Sequence, residues 1–72
     1  GGLAAALLRY VPDGVKCSLR SKDPAVSVGK VARHFGGGGH EMAAGTLIPV
    51  KTFAEAENLL LAEIKKELDN AL

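Results

Sequence analysis

The chain has 72 residues, 47% of them hydrophobic and 24% charged, which provides for one small core and excludes a second domain or a catalytic barrel. The formal net charge of +1 hides an asymmetry. Residues 1–51 carry seven Lys and Arg against three acidic residues, a balance of +4, and residues 52–72 carry two Lys against five acidic residues, a balance of −3. That excludes the strongly basic footprint of a duplex-binding protein and points to a small anionic ligand on the N-terminal part.

Leu3 to Val11 is rich in alanine and leucine and by propensity alone favours a helix. The following Val11-Pro12-Asp13-Gly14 has turn chemistry between two apolar runs, so a β-hairpin is predicted with its first strand over residues 3–11. Val15 to Ser21 alternates: Val15, Cys17 and Leu19 on one face, Lys16, Ser18 and Arg20 on the other. Ser27 is an N-cap for a helix over residues 28–35, with Val28, Val31, Ala32 and Phe35 as its apolar stripe and Lys30, Arg33 and His34 outside it. The glycines Gly36-Gly37-Gly38-Gly39 stop that helix.

His40 to Gly45 reads as one helical turn closed by Gly45, and Thr46 to Val50 as a third strand ended by Pro49. Thr52-Phe53-Ala54-Glu55 is a capping box. It opens a helix to about residue 69 that buries Phe53, Ala56, Leu60, Ile64 and Leu68 and turns its acidic residues outward, to solvent or to a partner. The expected fold is α+β in the order β-β-α-β-α, a mainly antiparallel sheet of about three strands with two helices on one face, the whole of residues 1–72 forming one domain. Gly1-Gly2 is left out of that fold.

Several chemistries are excluded by residue type. The single Cys17 allows no internal disulfide, is expected in the core, and fits a reducing, cytoplasmic compartment. The N-terminal stretch lacks the basic lead-in of a secretory signal, and no run reaches the ~18 apolar residues of a membrane span. His40-Glu41 begins a zinc-binding pattern, but Ala44 stands where the second histidine belongs. The glycine run matches neither a Walker loop nor a dinucleotide fingerprint, and no nucleophile, base and orienting group occur together.

A phosphate pocket remains. Nine glycines, four of them consecutive, cost roughly 0.5–1 kcal/mol each, in a domain whose core supplies about 3–5 kcal/mol. Consecutive glycines can aim several N–H groups at one anion, aided by a helical turn beginning at His40. His40 donates to phosphate oxygen in either charge state. Arg20 can add a two-pronged contact, with hydroxyls from Ser18 and Ser21. Lys16, Lys30, Arg33 and His34 are expected as solvated surface and Met42 as filler beneath the glycines.

Val15-Lys16-Cys17-Ser18-Leu19-Arg20-Ser21, the helix entry Val26-Ser27-Val28, and Phe35-Gly36-Gly37-Gly38-Gly39-His40 followed by Ala43-Ala44-Gly45 closely resemble the DHH-associated domain, first subfamily, of the DHH phosphoesterases. The likeness extends over nearly the whole chain. It is strongest to the NrnA-like branch, oligoribonucleases that also dephosphorylate 3′,5′-bisphosphate nucleotides. Nucleases of the RecJ type, cyclic-dinucleotide phosphodiesterases and the tRNA-binding C-terminal domain of alanyl-tRNA synthetases are related alternatives; in the last an arginine often follows the glycines, where this chain has His40. The resemblance implies a substrate-binding domain without catalytic residues. Arg20, Ser21, Gly37, Gly38, Gly39 and His40 would hold short RNA or nucleotide phosphate. The catalytic Mn²⁺ would belong to a DHH domain in cis that this chain does not contain.

Overall fold

A computed structural model describes residues 4–71; Leu3, assigned above to the first strand, lies outside the described residues, as do Gly1, Gly2 and Leu72. The elements are β1 (Ala4–Val11), β2 (Gly14–Ser21), α1 (Val28–His34), β3 (Gly38–Gly39), β4 (Ala43–Ile48) and α2 (Phe53–Ala71). They form an α+β fold with one antiparallel sheet in the order β1-β2-β4-β3.

The Pro12-Asp13 turn joins β1 to β2 in continuous register, from Val11 opposite Gly14 to Ala4 opposite Ser21. Alternation along β2 buries Val15, Cys17 and Leu19 against both helices, together with Val28, Val31 and Ala32 of α1 and Ala56 and Leu60 of α2. Both stripes read from the sequence therefore face the core. Ser27 caps α1 by accepting from the Lys30 N–H at 3.3 Å. Thr52 Oγ1 caps α2 by accepting from the Glu55 N–H, and donates in turn to Glu55 Oε1 at 3.0 Å. Phe53 stacks on Tyr10 with ring centroids 4.0 Å apart, tying the start of α2 to β1. At the other side Glu63 sits between His34, 3.2 Å away, and Lys66, 3.0 Å away, so one acidic residue of α2 faces α1 rather than solvent.

Two expectations are corrected, and the sheet of about three strands is extended by one short strand. The stretch from His40 is no helical turn: residues 40–42 bend and β4 already begins at Ala43. Ala43 and Ala44 favour helix by only tenths of a kcal/mol each, whereas in the sheet the segment is paired on both sides, to β2 and to β3. The sheet therefore gains a fourth strand, the two-residue β3, drawn from the middle of the glycine run. Met42 is 43% exposed and is not a filler beneath the glycines; its backbone is the part that matters, the carbonyl accepting from the Ser21 N–H at 2.9 Å.

Cys17 is fully buried, and burial pushes its thiol pKa up. A neutral, shielded thiol is a poor nucleophile. In the native chain it is expected to react with 5,5′-dithiobis(2-nitrobenzoate) at least about 100-fold more slowly than in guanidinium chloride, because reaction waits on opening of the core.

Candidate nucleotide-phosphate site

The helices cover one face of the sheet and leave the other bare. Register places Ala5, Arg20 and Ala43 in one row across β1, β2 and β4 on the bare face. His40 extends this row at the backbone level: its N–H donates to the Ala43 carbonyl at 2.7 Å, and the Ala43 N–H donates back at 3.3 Å. Arg20 and His40 are both exposed. Their backbones stand two strand spacings apart, about 10 Å, with only the methyl of Ala43 between them. A guanidinium-bearing residue and a histidine thus flank a short side chain in this row. Beside them runs an open groove of about 480 Å³ lined by Ala5, Ala6, Leu7, Ser18, Leu19, Arg20, Ala43 and Ala44.

The 40–42 bend that carries His40 is held by backbone bonds on two sides. The Glu41 carbonyl accepts from Val28 N–H at 3.0 Å and the Met42 carbonyl from Ser21 N–H. Helix α1 approaches so closely that a Cβ on Gly29 would lie 2.9 Å from the His40 carbonyl oxygen. This histidine is therefore positioned by the fold, although it lies in no regular element.

The glycine run divides into two roles. Gly36 and Gly37 close α1, their N–H groups donating to the carbonyls of Arg33 and Ala32. Gly37 then packs where a Cβ would lie 2.6 Å from Thr46 Cβ. Gly38 and Gly39 pair with Gly45 and Ala44. Because His40 and Ala43 exchange both hydrogen bonds, Gly39 occupies the alternate position in the antiparallel ladder and directs its N–H away from β4. As β3 is the sheet's edge, that donor faces outward beside His40.

The structure thus places Arg20 and His40 in one row on either side of Ala43, whereas Gly38 pairs with Gly45 and the Gly39 N–H points to the far edge, away from Arg20. It does not bring in Ser21. That residue follows Arg20 on the strand and so falls on the opposite face, only 8% exposed. Its hydroxyl donates to the Asp23 carbonyl at 2.7 Å and accepts from the Asp23 N–H. Gly37 likewise serves helix closure. Ser18 stays exposed on the bare face, two residues from Arg20. Ala43, which stands between Arg20 and His40 in the row, was not singled out in the sequence, because only strand register places it there. Among the described residues no three His, Cys, Asp or Glu side chains gather where they could hold a metal ion, and no helix is long and apolar enough to cross a membrane.

Comparison with known proteins gives two findings. The family model described as the DHHA1 domain matches residues 1–70. The bifunctional oligoribonuclease and PAP phosphatase NrnA of Thermus thermophilus is 35% identical over 71 residues, which is 99% of this chain and 22% of that protein. The chain therefore spans less than a quarter of the length of this relative.

Proposed function

This chain belongs to the DHHA1 domain family, of the type found in NrnA, and from that membership we propose that it binds nucleotide phosphate for a DHH-type phosphoesterase. In the whole protein the substrates would be short oligoribonucleotides or 3′,5′-bisphosphate nucleotides, and the relative's name supports that class. The supporting observation is the row Arg20–Ala43–His40, two phosphate-competent side chains separated by a methyl group.

The roles divide by chemistry. Arg20 supplies a permanent charge and a planar fork for two phosphate oxygens. His40 donates one hydrogen bond and adds charge when protonated. Neither Gly38 nor Gly39 carries a side chain that would block the approach of a sugar, while the Gly39 N–H, directed away from β4, lies outside the gap between Arg20 and His40. The Mn²⁺ expected for this enzyme class finds no fitting ligand set among the described residues, so no step in this chain passes through it.

The test is titration of the chain with uridine 3′,5′-bisphosphate, followed by amide chemical shifts. Shifts are expected at Arg20, Gly38, Gly39, His40 and Ala43, with a salt slope between about −0.7 and −1.4. With Mn²⁺ present the ligand should remain intact. Shifts confined to α2, or release of inorganic phosphate by this chain alone, would refute the reading; a slope several times steeper would favour a module tracking a tRNA surface.

A further inference from the structure

Beyond Arg20, the bare face carries a second cationic group that the proposed site does not use. Lys16 lies four residues along β2 from Arg20, on the same face and exposed. Arg9 of β1 is its direct cross-strand partner and is also exposed. At 3.4 Å per residue, the Arg9–Lys16 pair stands about 14 Å from Arg20. Two like charges directly opposite each other destabilise a sheet, and no carboxylate within β1, β2, β3 or β4 relieves them. Asp13 lies in the turn beyond the pair, and Glu41 in the bend beside His40. Neither forms an ion pair with a cation of this face.

Between the two cationic groups the surface is low and neutral. Ser18 and Gly45 are cross-strand neighbours, with Leu7 opposite Ser18 on the other side and 74% exposed. No aromatic side chain lies on this face within the four strands. The face therefore offers charge at two ends of a shallow track and no platform for stacking bases.

We infer that this track is an extension of the phosphate site that takes the backbone of a single-stranded oligonucleotide, one phosphate at Arg20 and His40 and a later one at Arg9 and Lys16. The inference rests on the proposed function for its first contact. Charge complementarity selects the occupant: a polyanion neutralises two opposed cations that the protein leaves unpaired. The separation of the two groups selects a strand over a mononucleotide, because one nucleotide cannot reach from the first to the second. Recognition is indifferent to base sequence, since the track offers charge, one hydroxyl at Ser18 and aliphatic side chains, with no aromatic side chain from the four strands.

The experiment compares uridine 3′,5′-bisphosphate with 5′-phosphorylated penta-uridylate on the wild-type chain and on the double variant Arg9→Glu/Lys16→Glu. On the wild type the pentamer should bind at least about 10-fold more tightly than the bisphosphate, the size of one charge-assisted contact. Its salt slope should be steeper by about 0.7, for the one further phosphate neutralised. The double variant should bring the pentamer to the affinity of the bisphosphate and leave the bisphosphate unchanged. Circular dichroism checks its fold, and Arg9→Gln/Lys16→Gln, with a smaller loss, carries the test if the charge reversal unfolds the chain.

A pentamer that binds no tighter than the bisphosphate, or one indifferent to both double variants, overturns the extension and leaves the proposed function standing. Failure of the wild type to bind the bisphosphate overturns the proposed function itself. If sedimentation shows a wild-type dimer that the double variant converts to monomer without any change in pentamer affinity, the face belongs to a second copy of the chain, and the extension is again overturned.

Discussion

Replacing either Arg20 or His40 by alanine is expected to weaken uridine 3′,5′-bisphosphate binding by roughly 10- to 100-fold, the range for removing one charge-assisted hydrogen bond worth about 1.5–3 kcal/mol. Both side chains are exposed and neither enters the core. The melting temperature should therefore hardly move. Two further variants separate this geometry from simple charge attraction. Arg20→Lys retains the charge but loses the planar fork, so most of the loss should persist. Ala43→Leu retains both ligands but fills the gap between their strands, and it too should weaken binding, with Arg20 and His40 intact. Calorimetric titration of the four variants decides the matter: if Ala43→Leu binds like the wild type, the phosphate does not sit between Arg20 and His40.

The second large effect is expected within the glycine run, where neighbouring residues should respond in opposite ways to the same substitution. Gly37→Ala places a Cβ against the Gly45 carbonyl and 2.6 Å from Thr46 Cβ, both at the edge of the core. Gly39→Ala places one 2.5 Å from the Ala44 Cα, at a φ of +142° that an L-residue rarely adopts. Overpacking against backbone costs about 1–3 kcal/mol, and the forbidden φ adds roughly 1–2 kcal/mol at Gly39. In a domain stabilised by only about 3–5 kcal/mol, either variant should lose most of its stability. Gly38→Ala meets nothing within 4 Å and is not held at positive φ. It should be neutral or gain up to about 1 kcal/mol by restricting the unfolded chain. Urea denaturation of the three single variants measures this. Equal losses at all three would mean that the run acts through general flexibility and not through two close contacts.

These contrasts explain why the glycines are there, and they revise the sequence-based expectation. A run of glycines suggests N–H groups converging on an anion. In the folded chain most of those groups serve the protein itself: Gly36 and Gly37 end α1, and β3 pairs with β4. The proposed site would depend less on a cradle of amides than on the absence of side chains along an edge strand, and on a bend that fixes His40 beside Ala43.

Local chemistry was enough to identify much of the fold. The Pro12-Asp13-Gly14 turn, the period-2 burial of Val15, Cys17 and Leu19, the Ser27 and Thr52 caps and the stripes of both helices each depend on neighbours within a few residues, so the sequence carries them. Arg20, as a cation on the polar face of β2, and His40, as the residue after the glycine run, could be singled out from local sequence too; the phosphate role given to them is a proposal. Tertiary structure decided what depends on partners distant in the chain. Ala43 and Ala44 belong to a strand because β2 and β3 are there to pair with them, a gain that outweighs their weak helical preference. Ser21 turns inward because strand alternation counts from the core. Arg20, Ala43 and His40 become one row, and Arg9 and Lys16 one pair, only through the register of an antiparallel sheet, a relation between strands that no single stretch of sequence contains.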